Sequence, residues 1–164
     1  MRKIITILLF LATAPAQAGD LYLDVNGYSW HSKEEYVYRG QPGKYNAHNT
    51  GLGVTYELTQ YTEVFAGYYY NSFKRDTVYG GVKIKHDFAF GEVTITPGLN
   101  VGVATGYANT PAQSDYYQLV IMPAVRLTYR GVGFTVGYVP RIEKPNFDAV
   151  SAVTFQFNFR AWRI

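Results

Sequence analysis

Cysteine is absent from this chain, which excludes disulfides, thiolate metal centres and a cysteine nucleophile. Long apolar runs are missing too. Nothing after the first 18 residues approaches the roughly 20 apolar residues of a membrane-spanning helix, so any membrane span must be made of strands. Histidine is scarce, three residues in 164. His48 and His86 lack ligand spacing to nearby carboxylates, so no metal site and no cofactor are expected. Nor do Lys and Arg cluster into the basic face of a nucleic-acid binder.

What is there begins with a leader. Arg2 and Lys3 precede an apolar stretch from Ile4 to Ala12 and the small-x-small site Ala16-Gln17-Ala18, the parts of a signal-peptidase substrate. Residues 1–18 are expected to be cleaved, leaving 19–164 as one exported domain. Without Arg2 and Lys3 the 15 basic residues fall to 13 against 12 acidic ones, a net charge of +1.

Clusters of Gly, Pro, Asn and Asp divide the rest into eight runs near 20–31, 48–58, 62–73, 77–89, 91–106, 117–129, 131–140 and 148–159. Each is long enough to cross a bilayer as a tilted strand of about 9–11 residues. The links alternate: 32–47 and 141–147 are long, whereas Thr59-Gln60-Tyr61 and Arg130-Gly131 are tight. Outer-membrane barrels have short periplasmic turns and longer external loops. The pattern predicts an all-β fold, an eight-stranded antiparallel transmembrane β-barrel of the bacterial outer membrane, monomeric, with its first strand running outward.

Along these runs residues alternate between two faces. Leu52, Val54, Val78, Val82, Ile121, Val125, Phe134 and Phe157 belong to a face expected to meet lipid. The opposite face is too polar for the core of a soluble sandwich. Its periplasmic half collects Asp24, Glu57, Lys83, Lys85, Asp87 and Arg126; a charge-paired plug is expected, because an unpaired charge in a narrow lumen is costly. Its outer half collects Gly51, Gly53, Gly81, Gly98, Gly102, Val120, Met122 and Gly137, with Tyr28 and Tyr79. An eight-stranded lumen is just wide enough for side chains to fill it or for one small ligand, and glycine in a strand often marks close approach by a ligand or backbone. Two readings follow: a narrow apolar slot suited to a hydrocarbon chain, or glycines that make room for large aromatics leaning inward.

This topology brings the ends of the first and third strands to the outer rim, with Trp30-His31 on one and Asn71-Ser72 on the other. An imidazole beside a serine hydroxyl is the minimal pair for acyl transfer, with the imidazole as general base. Both are also ordinary loop residues, and His31 has the lipid-facing parity of its strand. Arg39, Lys44, Lys74, Arg75 and Arg141 add positive charge at the same rim, suited to phosphates of lipopolysaccharide.

Several short stretches resemble the PagP-type outer-membrane lipid A palmitoyltransferases. Tyr28-Ser29-Trp30-His31 is similar to the segment carrying that family's catalytic histidine, and Tyr45-Asn46 with Gly51-Leu52-Gly53 to its second strand. Asn71-Ser72 stands where the family has an aspartate-serine pair. Met122-Pro123-Ala124-Val125, Gly131-Val132-Gly133-Phe134 and Tyr138-Val139-Pro140 resemble its sixth and seventh strands. The resemblance implies an interior hydrocarbon pocket and transfer of a palmitoyl-like chain from a phospholipid to lipid A. It also implies catalytic roles for His31, Ser72 and Asn71, a length-measuring floor at Gly81, and lateral lipid entry at Pro97 and Pro123, where proline removes ladder hydrogen bonds. The competing expectations are a non-catalytic barrel with a hydrophobic or structural lumen, and a lipid A deacylase using similar residues with water as acceptor.

Overall fold

The computed structural model describes residues 19–38, 40–107, 117–140 and 150–163. The expected leader 1–18, Arg39, Arg141 and the link 141–147 lie outside the described residues. The strands are β1 (Asp20–His31), β2 (Glu35–Tyr38), β3 (Gln41–Lys44), β4 (His48–Thr59), β5 (Thr62–Tyr70), β6 (Asp76–Lys85), β7 (Phe88–Phe90), β8 (Val93–Ala104), β9 (Gln118–Tyr129), β10 (Val132–Val139) and β11 (Ala152–Arg163). Antiparallel pairing runs β1–β4–β5–β6–β8–β9–β10–β11 and returns to β1, which closes an eight-stranded barrel. The short β7 continues β6 beyond His86-Asp87 and pairs with β8 at Phe88↔Ile95.

Closure satisfies the edges that an open sheet would leave unpaired. At one end the turns are tight: Tyr129↔Val132 flank Arg130 and Gly131, both with positive φ (49° and 87°), as a primed two-residue hairpin turn requires. Arg130 Nε donates to Glu92 Oε1 of the next turn at 2.8 Å. At the other end the first long link is not plain loop but carries the β2–β3 hairpin. The last strand also exceeds its expected end at 159. Asp20, Leu21 and Tyr22 pair with Arg163, Trp162 and Arg160, and Arg160 Nη1 donates to Asp20 Oδ2 at 3.0 Å.

The two faces are inverted relative to a soluble protein. Leu52, Val78, Ile84, Leu119 and Val132 are each more than half exposed, while Asp24, Glu63, Lys83, Lys85, Arg126 and Asn158 are buried. Glu57 and Glu63 lie directly opposite each other across β4–β5, a repulsive arrangement on its own. Cations resolve it. Arg126 grips Glu63 with Nη2 at 2.5 Å and Nη1 at 3.2 Å and stacks over Tyr22, 4.5 Å from the ring centre. Lys85 Nζ sits 2.8 Å from Glu57 and 3.9 Å from Glu63 and also bonds Asp87, and Lys83 lies 3.7 Å from Glu63. Asp24 is held by Thr55 at 2.6 Å and Asn158 at 2.7 Å. The result is a charge-paired layer across the lumen near the end with tight turns.

Candidate functional site

Gly27 decides which residues face the lumen at the outer rim. From Tyr22 through Asn26 β1 runs in register with both β4 and β11, then slips against both before Tyr28. One extra residue in a strand reverses the parity of all that follows. Below the bulge Tyr22 and Asp24 are buried; above it Ser29 is buried, while Tyr28 and Trp30 are 43% and 53% exposed. His31 therefore faces inward, which corrects the lipid-facing parity read from an unbroken strand. Tyr28, expected to line the slot, is turned to the outer parity by the same slip. It packs near Phe155 and edge-on to His48 and still lines part of the cavity.

The bulge and the β5–β6 turn bring His31 and Ser72 together, Nε2 to Oγ at 2.8 Å. With the ring proton on Nδ1, Nε2 accepts from the serine hydroxyl. The imidazole lies flat on Tyr45, ring centres 4.7 Å apart and planes 6° apart. Behind it Ser29 bonds Asn49, whose Nδ2 donates to the Tyr70 carbonyl at 3.0 Å, tying upper β1 to β5 through β4.

Asn71, expected as a catalytic residue, does not touch the pair through its side chain. It is fully buried. Its Oδ1 accepts from the N–H groups of Phe73 and Arg75 at 2.8 and 3.1 Å, and its Nδ2 donates to Thr77 Oγ1 at 2.9 Å and the Gly106 carbonyl at 3.0 Å. That uses the amide's donors and acceptors, leaving nothing for a substrate. Asn71 caps the turn that presents Ser72. A carboxylate here would oppose the Gly106 carbonyl, so this position favours an amide. Asn71→Asp is expected to cost about 1–3 kcal/mol from the unsatisfied carbonyl, seen as a lower urea midpoint without any gain in activity.

The pair opens onto an interior cavity of about 520 Å³, within the roughly 300–1,000 Å³ typical of small-molecule sites. His31, Tyr45, Ser72 and Phe73 border its outer end, Phe65, Tyr79, Gly102, Val120 and Met122 its walls, and Asp24, Lys83, Arg126 and Asn158 its base. Of the glycines expected along the slot, Gly102 alone reaches the wall. The others face inward under large neighbours. A Cβ on Gly53 or Gly67 would come 2.5 Å from the Tyr79 hydroxyl, one on Gly98 2.7 Å from Lys83 Cε, and one on Gly137 2.8 Å from Met122 Sδ. A Cβ on Gly51 would meet the Tyr68 carbonyl before Tyr69 Cβ at 2.6 Å, and one on Gly81 would meet the Val101 carbonyl before Gly102 Cα at 2.7 Å and Phe65 Cζ at 2.8 Å. Glycine makes room for inward side chains at Gly53, Gly67, Gly98 and Gly137 and for the neighbouring backbone at Gly51, Gly81 and Gly102, and the cavity is what those side chains leave.

Both prolines lie outward-facing on the β8–β9 pair, Pro97 opposite Val125 and Pro123 opposite Leu99. Pro97 coincides with the β6–β7 break in the charged half, away from the His31–Ser72 rim. Pro123 follows the last β9–β10 pair, Gly137↔Ala124, so those strands part in the outer half.

Sequence reasoning missed the inward face of β5. Glu63, Phe65 and Tyr69 all border the cavity. Tyr68-Tyr69-Tyr70 puts the same side chain on both faces and hides the alternation. The usable signal was Glu63, an acid within an apolar strand.

No family model and no curated protein matches the chain. Among solved structures it is similar to the solution NMR structure of the de novo designed TMB2.3, with a TM-score of 0.53 and 17% identity over 90% of this chain and 98% of that one. At that identity the likeness speaks of fold alone: the chain is a closed, antiparallel, eight-stranded β-barrel.

Proposed function

We propose that the protein is an integral outer-membrane enzyme that moves a fatty acyl chain from a phospholipid to lipid A, holding the chain inside the barrel. The observation that carries this reading is the 2.8 Å His31–Ser72 contact at the mouth of an interior cavity. The apolar exterior supports a lipid-embedded state, since monomeric soluble proteins rarely expose contiguous apolar patches beyond a few hundred Å². Aromatics ring both ends, with Tyr61, Phe88, Tyr129 and Trp162 exposed at one and Trp30, Tyr70 and Tyr138 at the other, as interfacial girdles do. The leader supports export.

In this mechanism His31 Nε2 takes the proton of an acceptor hydroxyl as that oxygen attacks the donor ester carbonyl. The carbonyl–oxygen bond to the phospholipid then breaks, and the departing lysophospholipid oxygen recovers the proton from His31. Ser72 holds the imidazole at the rim and donates to the ester oxygens once displaced from Nε2. The transferred chain lies in the cavity, where Phe65 and Tyr79 stand between the upper walls and the charged base.

Mass spectrometry of lipid A from cells expressing the full chain tests the reading. A palmitate-sized mass gain supports transfer, loss of an acyl mass supports the deacylase, and an unchanged spectrum under membrane stress supports a non-catalytic barrel. Chain length is a second readout. Phe65→Ala opens the floor beside Gly81 and is expected to extend the transferred chain, measured as added methylene masses; an unchanged chain would remove Phe65 as the floor. Gly81→Met is a poorer probe than the sequence suggests, because its side chain meets backbone as well as Phe65.

A further inference from the structure

One short segment touches both upper β1 and the turn that carries Ser72. Residues 45–47 join β3 to β4 outside any strand. The Asn46 N–H donates to the Ser72 carbonyl at 2.8 Å, and Asn46 Nδ2 donates to the Asn71 carbonyl at 3.3 Å. Asn46 is itself braced: Nδ2 also donates to the His48 carbonyl at 2.6 Å, and Oδ1 accepts the His48 N–H at 3.2 Å. On one side the Ala47 carbonyl accepts the Ser29 N–H at 2.8 Å, just above the Gly27 bulge. On the other, the Tyr45 ring covers the imidazole and is wedged by Phe73 at 5.4 Å and Tyr36 at 5.0 Å. The Tyr45 N–H donates to Glu34 at 2.9 Å.

The segment supplies what the sheet does not. On the β4 side, regular pairing of β1 ends at Tyr28↔His48, so the ladder gives His31 no partner there. Ser72 lies in a turn outside the β5–β6 ladder, whose last pair is Tyr70↔Asp76. A serine and a histidine on separate supports hold a productive contact only if both supports are fixed to within about 0.5 Å.

We propose that Tyr45, Asn46 and Ala47 form the positioning element of the pair. Tyr45 sets the plane of the imidazole, Asn46 sets the height of Ser72, and Ala47 holds β1 beyond the bulge. Its kinetic consequence rests on the acyl-transfer reading; its structural consequence does not.

The test uses the full-length barrel, labelled with ¹⁵N-histidine and refolded in lipid nanodiscs, with Ser72→Ala as the reference for an unpaired His31. In Tyr45→Leu and Asn46→Ala the His31 Nε2 resonance is expected to move to the Ser72→Ala position, while Tyr45→Phe keeps the wild-type resonance because the ring remains. In lipid A transfer, Tyr45→Leu is expected to lower kcat about 10- to 100-fold with KM unchanged, and Tyr45→Phe to restore it. A wild-type His31 resonance in folded Tyr45→Leu and Asn46→Ala overturns the proposal. Should Tyr45→Leu fail to fold, Asn46→Ala, which removes the side-chain bonds to the Asn71 carbonyl and the His48 backbone that brace the segment, decides alone. A wild-type barrel without transferase activity whose His31 resonance still responds to these substitutions rejects the enzymatic reading and retains the positioning role.

Discussion

Glu63→Ala is expected to lower the stability of the barrel by about 3–5 kcal/mol, the cost of leaving buried charges without their partner. Glu63 has no exposed surface and is the carboxylate shared by Arg126, Lys83 and Lys85. Removing it leaves a guanidinium at the base of the cavity with no bidentate acceptor, and Lys83 without the ion pair it makes in this layer. Unfolding in urea from detergent micelles, followed by the gel shift of the folded barrel, measures the loss. The physical cause has a second signature. Glu63→Leu combined with Arg126→Met and Lys83→Met removes the carboxylate together with the two cations that rely on it, while Lys85 keeps Glu57 and Asp87, and such replacement is far milder than breaking one half. Recovery of most of the lost stability in the triple variant is therefore expected. If Glu63→Ala changes stability by less than about 1 kcal/mol, solvation rather than pairing holds the layer.

His31→Ala is expected to remove the lipid A mass gain, with a loss of about 10²–10⁴-fold in rate, the usual contribution of a positioned acid–base group. Ser72→Ala should cost less, because it removes the imidazole's partner and not the base. Neither change should unfold the barrel. His31 lies at the last pair of β1 with β11, opposite Ala152, and its ring contributes one stack and one hydrogen bond at a half-buried rim. A folded His31→Ala barrel that still acylates lipid A at the wild-type rate would eliminate the imidazole as the base.

How much of this was legible in the sequence depends on how local each property is. Parity along β9 was readable because Val120, Met122, Ala124, Arg126 and Thr128 alternate without interruption, and all five face inward. Parity along β1 was not. The slip at Gly27 is a property of β1 against β4 and β11 together, and a lone glycine within the twelve-residue strand does not announce it. The glycine-rich outer half was legible as a set, yet its meaning was not, since a glycine at lumen parity looks the same under a ligand or under Tyr79. Asn71 shows the same limit. Its position beside Ser72 is a fact of sequence, whereas its four hydrogen bonds reach Phe73, Arg75, Thr77 and Gly106, the last 35 residues away.

By itself, the sequence determined strand number, the alternation of an apolar and a polar face, the charged half of the lumen and the end of the barrel at which His31 and Ser72 lie. These follow from the two-residue period of a pleated strand and from turn-forming residues, both of which act over a few neighbours. Only the tertiary structure decided that His31 turns inward, that Asn71 supports rather than reacts, that Glu63 centres the ion pairs, and that Phe65 and Tyr79 bound the cavity. Each of these rests on register between strands distant in sequence, and register appears only when the barrel closes.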